Sequence, residues 1–255
     1  MADRPILFSA PMVRALLSGR KTQTRRLLTR ARVFATSESP AFTLKGESME
    51  RALQNASGFR HLHQNGWFWE SDAFEWQAPA ERTGWMAHLG HAVGDRLWVK
   101  ETWHAESWYD RHKAEDRPKV IAEIGTPKVW YGAGYVLPSG RWMSTSPLDL
   151  DAQWSKGQKR VSIHMPRWAS RLTLNVKDVR VERLNDCSEE DAIAEGLEWV
   201  APGMWSVDRT LPIIGHDPVA VYAQLWDHIN GPGAWEANPW ITVTGFDPIK
   251  GNIDA

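Results

Sequence analysis

The stretch from Leu172 to Val181 constrains the fold more tightly than any other part of the chain. Leu172, Leu174 and Val176 alternate with polar residues. The apolar positions then change parity at Lys177-Asp178 and resume with Val179 and Val181. Alternation with a period of two marks a strand with one buried face. A parity change inside it requires a bulge or a tight bend, which curves the strand as a small barrel demands. Strand-like alternation also runs from Asp95 to Trp103, where Leu97, Val99, Glu101 and Trp103 share a face. A hairpin is expected over Val129–Val136 and a closing strand over about Trp240–Phe246.

Helices are expected between these strands. Ser9, Ala10 and Pro11 open one, Met12, Ala15 and Leu16 recur at helical spacing, and Gly19 stops it. Ser188 caps a second, with Asp191 three residues on, and Gly196 ends it. Asp217-Pro218 opens a third, whose buried stripe reads Val221, Tyr222, Leu225, Trp226 and Ile229 before Asn230-Gly231 stops it. Short strands with helices around them give an α+β fold. Two long insertions, about 33–90 and 105–158, separate the patterned parts. The first lacks a steady period and carries turn signals at Ser39-Pro40 and Asn65-Gly66, so it reads as partly irregular. No repeat or clear linker divides the chain, and residues 1–255 read as a single domain.

A chain of 255 residues can bury a full core without disulfides or metal. Cys187 is the only cysteine, which excludes an intrachain disulfide and zinc sites built on paired cysteines. It precedes a helix start, where a thiolate can be stabilised, or it is a structural, partly buried thiol. His61 and His63 have no acidic third ligand in view, so neither a metal site nor a cofactor is expected. No apolar run approaches the roughly 20 residues of a membrane span, and Met1-Ala2-Asp3-Arg4 does not begin a signal peptide. The expectation is a cytoplasmic protein with no membrane partner.

The net charge is -1, which argues against bulk capture of duplex nucleic acid. Its distribution is uneven. Within residues 1–32, Arg4, Arg14, Arg20, Lys21, Arg25, Arg26, Arg30 and Arg32 stand against Asp3 alone. Residues 186–198 hold Asp186, Glu189, Glu190, Asp191, Glu195 and Glu198 and no base. The two regions either meet in a polar cleft or form two solvated surfaces. The chain also has 16 tryptophans, each of which either thickens the core or offers a face on which a nucleobase stacks.

The chemistry concentrates in Gly19-Arg20-Lys21-Thr22-Gln23-Thr24-Arg25-Arg26, where a helix ends. A lysine crowded by guanidiniums has its charged form disfavoured and becomes a plausible base. Thr24 is a weak nucleophile that needs one. The guanidiniums suit an anionic or carbonyl-rich ligand. The bland alternative is a solvated basic turn, with neither Lys21 nor Thr24 needed for a core.

Gly19, Lys21, Thr24 and Arg26 fit the pattern Gly-x-Lys-x-x-Thr-x-Arg, which resembles the signature of ASCH domains, relatives of the PUA RNA-binding fold. Gly94–Val99 resembles that family's Gly-Asp strand entry, Ser188–Gly196 its acidic helix and Trp240–Phe246 its closing strand, in the right order. Pro5–Ser9 and Ser162–Trp168 resemble a longer, phage-type branch. The resemblance implies a small PUA-like β-barrel with flanking helices. It also implies an amidohydrolase that removes the acetyl group from N4-acetylcytidine-like nucleosides. Lys21, Thr24 and Glu195 map to the catalytic set, with Glu190 as the alternative carboxylate.

Neutral Lys21 would take a proton from Thr24 or from a water, Glu195 would protonate N4 of cytosine, and Arg26, or backbone N–H groups in the Gly19–Thr22 turn, would stabilise the oxyanion. Glu101 is expected on the pocket wall, where the alternative is pairing with an arginine. Trp103 is the expected base-stacking residue, where the alternative is packing under the second insertion. His164 is a further substrate-binding candidate, otherwise a hydrogen-bonded loop residue. The competing functions are a non-catalytic binder of single-stranded RNA or a modified base, and an ASCH-type ribonuclease. The oligomeric state is not legible.

Overall fold

The computed structural model of the chain describes residues 1–28, 31–33, 58–62, 66–70, 85–87, 89–124, 127–136, 142–143 and 156–255. Its centre is a mixed five-stranded sheet. We label its strands β1 (Asp3–Leu7), β2 (Gln23–Leu27), β3 (Arg96–Lys100), β4 (Leu172–Arg183) and β5 (Trp240–Lys250). Their order is β1-β3-β4-β5-β2. β1 runs parallel to β3, and the other neighbours are antiparallel. Helices α1 (Ala10–Leu17), α2 (Ser107–Arg111), α3 (Arg117–Ile124), α4 (Glu189–Ala194) and α5 (Pro218–Asn230) complete an α+β fold. No helix among the described residues is long and apolar enough to cross a membrane.

The parity change in β4 is a true register shift. Val176 pairs with Phe246 and Asp178 with Gly245, so one residue of β4 is left over between them. Leu172, Leu174 and Val176 all lie in the main core, together with Leu97, Val99, Ile241 and Val243 from the flanking strands. The sheet's edge strands, β1 and β2, are not paired with each other, yet they meet. The Arg26 guanidinium on β2 donates to the Leu7 carbonyl at the end of β1 at 2.6 Å.

Helix ends follow their local signals. Pro11 sits in the first turn of α1, and Gly19, with φ 77°, turns the chain after it. The Ser188 hydroxyl accepts from the Asp191 amide in a full capping box at the start of α4. Asp217 caps α5 by accepting from the Val219 amide. Val221, Tyr222, Leu225 and Trp226 are buried as the pattern requires, but Ile229 is exposed, because α5 runs past the edge of the core by its last turn.

Two strand expectations need correction. The Asp95–Trp103 strand breaks at Glu101 and Thr102, and a separate strand, Trp103–Ala105, leaves the main sheet. The Val129–Val136 hairpin does not form. Val129–Tyr131 pairs with Trp103–Ala105, and Tyr135–Val136 pairs with Trp142–Met143. Trp130 is buried, and a distant partner strand outcompetes the local turn at Gly132–Gly134. The first insertion, which showed no steady period, contains strands among its described residues. Its described residues form a four-stranded antiparallel sheet of Ala31–Val33, Trp85–Ala87, Gly66–Glu70 and Gly58–Leu62. The turn signals at Ser39-Pro40 and at Asn65 lie outside the described residues.

Candidate active site

The turn after α1 is fixed from three sides. The Lys21 amide donates to Ala15 O, the Thr22 amide to Ala194 O at the end of α4, and Thr22 O accepts from the Phe246 amide of β5. The turn therefore carries Lys21 into the molecule rather than into solvent. Lys21 is only 1% exposed. Its ammonium nitrogen donates to Glu195 Oε2 at 2.7 Å and to Glu195 O at 2.9 Å. Glu195 ends α4 and is 4% exposed. Burial holds the Lys21 pKa below its ordinary value, opposed by the Glu195 charge. The like charge of Arg26 and Arg25, expected to be the cause, lowers it less than burial does.

The basic turn and the acidic helix do meet. Arg25 contacts Glu182 and Asp191, both at 2.9 Å, and Glu195 at 3.3 Å. The Gln23 amide nitrogen donates to Asp191 Oδ1 at 3.0 Å. Arg25, not Arg26, bonds the acidic helix, because Gln23 and Arg25 share one face of β2 and Thr24 and Arg26 the other. Arg20 turns outward to Glu198. The octapeptide thus divides its cations between structure and site.

Lys21, Thr24, Arg26 and Glu195 line one cavity of about 420 Å³. Phe8 and Met12 close one side, and Tyr222, Leu225 and Trp226 of α5 close another. The Lys21 and Arg26 cations lie 5.7 and 5.4 Å from the Phe8 ring centroid. The Thr24 hydroxyl has no hydrogen-bond partner among the described residues and is open to a ligand. Sequence reasoning missed Phe8, Tyr222 and Trp226 as cavity residues. The apolar stripe of α5 was legible as core, and nothing in it told which part would stand over an opening.

Four expected positions lie elsewhere. Glu190 is exposed on α4, which removes it as the alternative to Glu195. Glu101 is 2% exposed and is held in a bidentate pair by Arg171, at 2.8 and 3.0 Å. Burial raises its carboxyl pKa and Arg171 opposes that. It is not part of the cavity wall, because the chain kinks there and turns its carboxylate to Arg171. Trp103 is 1% exposed and packs edge-on to Tyr109 and Trp168, with Arg160 over its ring at 4.9 Å. It anchors a second core under the second insertion, with Ala105, Met165 and Ala169. His164 ends a short 3-10 turn with its ring exposed, away from the cavity. Cys187 is buried, and burial pushes its thiol up to about 12, which makes it a structural thiol.

No family model matches the chain, and no curated protein or solved structure matches it.

Proposed function

We propose that the cavity is the active site of an amidohydrolase acting on N4-acylated cytosine nucleosides, built on an ASCH-like domain. The observation that carries this reading is the buried Lys21–Glu195 pair beside the Thr24 hydroxyl, unpartnered among the described residues, in one partly apolar cavity. A buried amine and carboxylate 2.7 Å apart share a proton and can serve as base and acid in a single turnover. The apolar and aromatic walls fit a base, and a cavity of this size is typical of small-molecule sites. The family resemblance also implies a closed barrel, and the β1–β2 seam bridged by Arg26 is where one would close.

The resting pair is ammonium and carboxylate, favoured by Arg25 on Glu195. Moving the proton from Lys21 to Glu195 gives the reactive form. Neutral Lys21 then takes a proton from a water oriented by Thr24, or from Thr24 itself. The oxygen attacks the acyl carbonyl and Arg26 stabilises the oxyanion. Glu195 delivers its proton to N4 as the C–N bond breaks. Lys21 ends as ammonium and Glu195 as carboxylate, the resting form. On the Thr24 route a water repeats the cycle to release the acid.

The test is to incubate the protein with N4-acetylcytidine and, separately, with single-stranded RNA, and to follow both by chromatography. Release of cytidine and acetate is expected. An intact nucleoside together with shortened RNA would replace this reading with a ribonuclease, and intact RNA held in a complex would replace it with a binding module.

A further inference from the structure

A second cavity, of about 600 Å³, adjoins the first. The two share Leu7, Arg26 and Leu27 as a common wall, at the seam where β1 and β2 meet. The chemistry of the second cavity differs. Its polar lining is Arg4, Arg26, His91, Thr242 and Thr244, with no carboxylate among the described residues. The hydroxyl pair follows from register: Thr242 stands opposite Arg26 and Thr244 opposite Thr24, so all four project from one face of β5 and β2. His91 Nε2 shares a hydrogen bond with Thr244 Oγ1 at 2.7 Å, which fixes the imidazole over this face.

Both guanidiniums keep donors available. Arg26 makes one hydrogen bond among the described residues, to Leu7 O. Arg4 has its side chain 47% exposed and reaches Asp95 only at 3.6 Å. Asp95 is itself occupied by the Ala2 and Ala92 amides, at 2.7 and 3.1 Å. Two cationic forks, hydroxyls and an imidazole, with no lining acid among the described residues, suit an oxyanion, and guanidiniums suit phosphate in particular.

We propose that the second cavity is a phosphate subsite, and that the substrate is a nucleotide whose base enters the first cavity while its sugar phosphate reaches Arg4, Arg26 and His91. This rests on reading the first cavity as the nucleoside site. The net charge of -1 favours a mononucleotide over a long strand, whose binding draws on many phosphate contacts. Arg26, standing in both cavities, would join phosphate recognition to the reacting carbonyl.

The test compares N4-acetylcytidine with its 5′- and 3′-monophosphates, using the wild type, Arg4→Gln and His91→Gln. One monophosphate should exceed the free nucleoside in kcat/KM by at least about tenfold, the worth of a charge-assisted contact. Both variants should lose most of that preference and keep their turnover of free nucleoside. A second arm needs no catalysis: calorimetric titration of cytidine and of the cytidine monophosphates. A tenfold preference for one monophosphate that Arg4→Gln removes supports the subsite, even where no acetylated compound is hydrolysed and the reaction assignment falls. Hydrolysis of all three acetylated substrates at equal kcat/KM, with cytidine and its monophosphates binding alike, overturns the subsite and leaves the reaction standing.

Discussion

At the residue scale, burial changes what Lys21 is for. Its position in a basic turn suggests a side chain the fold can lose. In the structure it is the buried partner of Glu195. Breaking a buried ion pair by removing one partner costs about 3–5 kcal/mol, because the other charge remains. Lys21→Ala should therefore lower stability by a few kcal/mol as well as abolish turnover, although Arg25 limits the loss. Urea melts check this, and a variant as stable as wild type would mean that the pair is not formed in solution. Thr24→Ala separates the two effects. It removes a hydroxyl with no partner among the described residues, so unfolding should be nearly unchanged while kcat falls at least about 100-fold. Turnover within a few-fold of wild type would take Thr24 out of the reaction. Trp103 gives the opposite pattern. Trp103→Ala should cost about 3–5 kcal/mol through cavity formation, and nucleoside affinity in the folded fraction should not move. A large loss of affinity at unchanged stability would return Trp103 to the site.

At the scale of elements, the site depends on how α4 ends. Gly196 follows Glu195 with φ 108°, in a region that glycine adopts without strain. A Cβ there would stand 2.7 Å from the Ala15 Cβ and 3.0 Å from the Lys21 Cβ. Glycine thus lets α4 approach α1 closely enough for Glu195 to reach Lys21. Gly196→Ala should destabilise by more than about 1 kcal/mol and, by moving the pair apart, reduce kcat more than it raises KM. Thermal melts alongside steady-state kinetics test both, and an unaffected kcat would disconnect the α4–α1 approach from catalysis.

For the whole molecule, buried carboxylate pairs set the response to acid. Arg14 on α1 holds Asp208, 194 residues away, through two hydrogen bonds of 2.7 and 2.9 Å. Burial alone would raise the Asp208 carboxyl, but the Arg14 and Thr210 hydrogen bonds together hold it below its ordinary value of 3.8. Asp191 is lowered too: burial raises it, and Gln23, Arg25 and Arg180 outweigh that. Above pH 3.8 the unfolded chain is also ionised, and the stabilisation from these pairs is complete. Below it the unfolded chain takes up protons first, so stability falls as pH drops through the lowered folded values. Unfolding free energy should therefore be flat near neutrality and decline below about pH 4. Asp208→Asn should be less stable at pH 7 and show a shallower acid decline, measurable by denaturant melts across pH. An equally steep decline in the variant would place the acid response on other carboxylates.

Local signals were legible wherever the cause lies within a few residues. The bulge at Lys177-Asp178 shows as a change of parity, since a strand turns its side chains over at every residue. The Ser188 cap and the Gly19 and Gly196 stops show because helix ends need particular donors and backbone angles. The α+β class follows from these pieces. Contacts between distant segments were not legible in the same way. The acidic stretch offered both Glu190 and Glu195, and only the packing of α4 against α1 turned Glu195 inward to Lys21, 174 residues away. The assignment of Arg25 to the acidic helix and of Arg26 to the Leu7 carbonyl required the sheet order, which brings edge strands β1 and β2 together. Glu101 and Trp103 were expected at the site, and for both the structural alternative holds: each is buried away from the cavity. Their partners, Arg171 and the aromatic cluster around Trp168, come from segments that no local period connects to them.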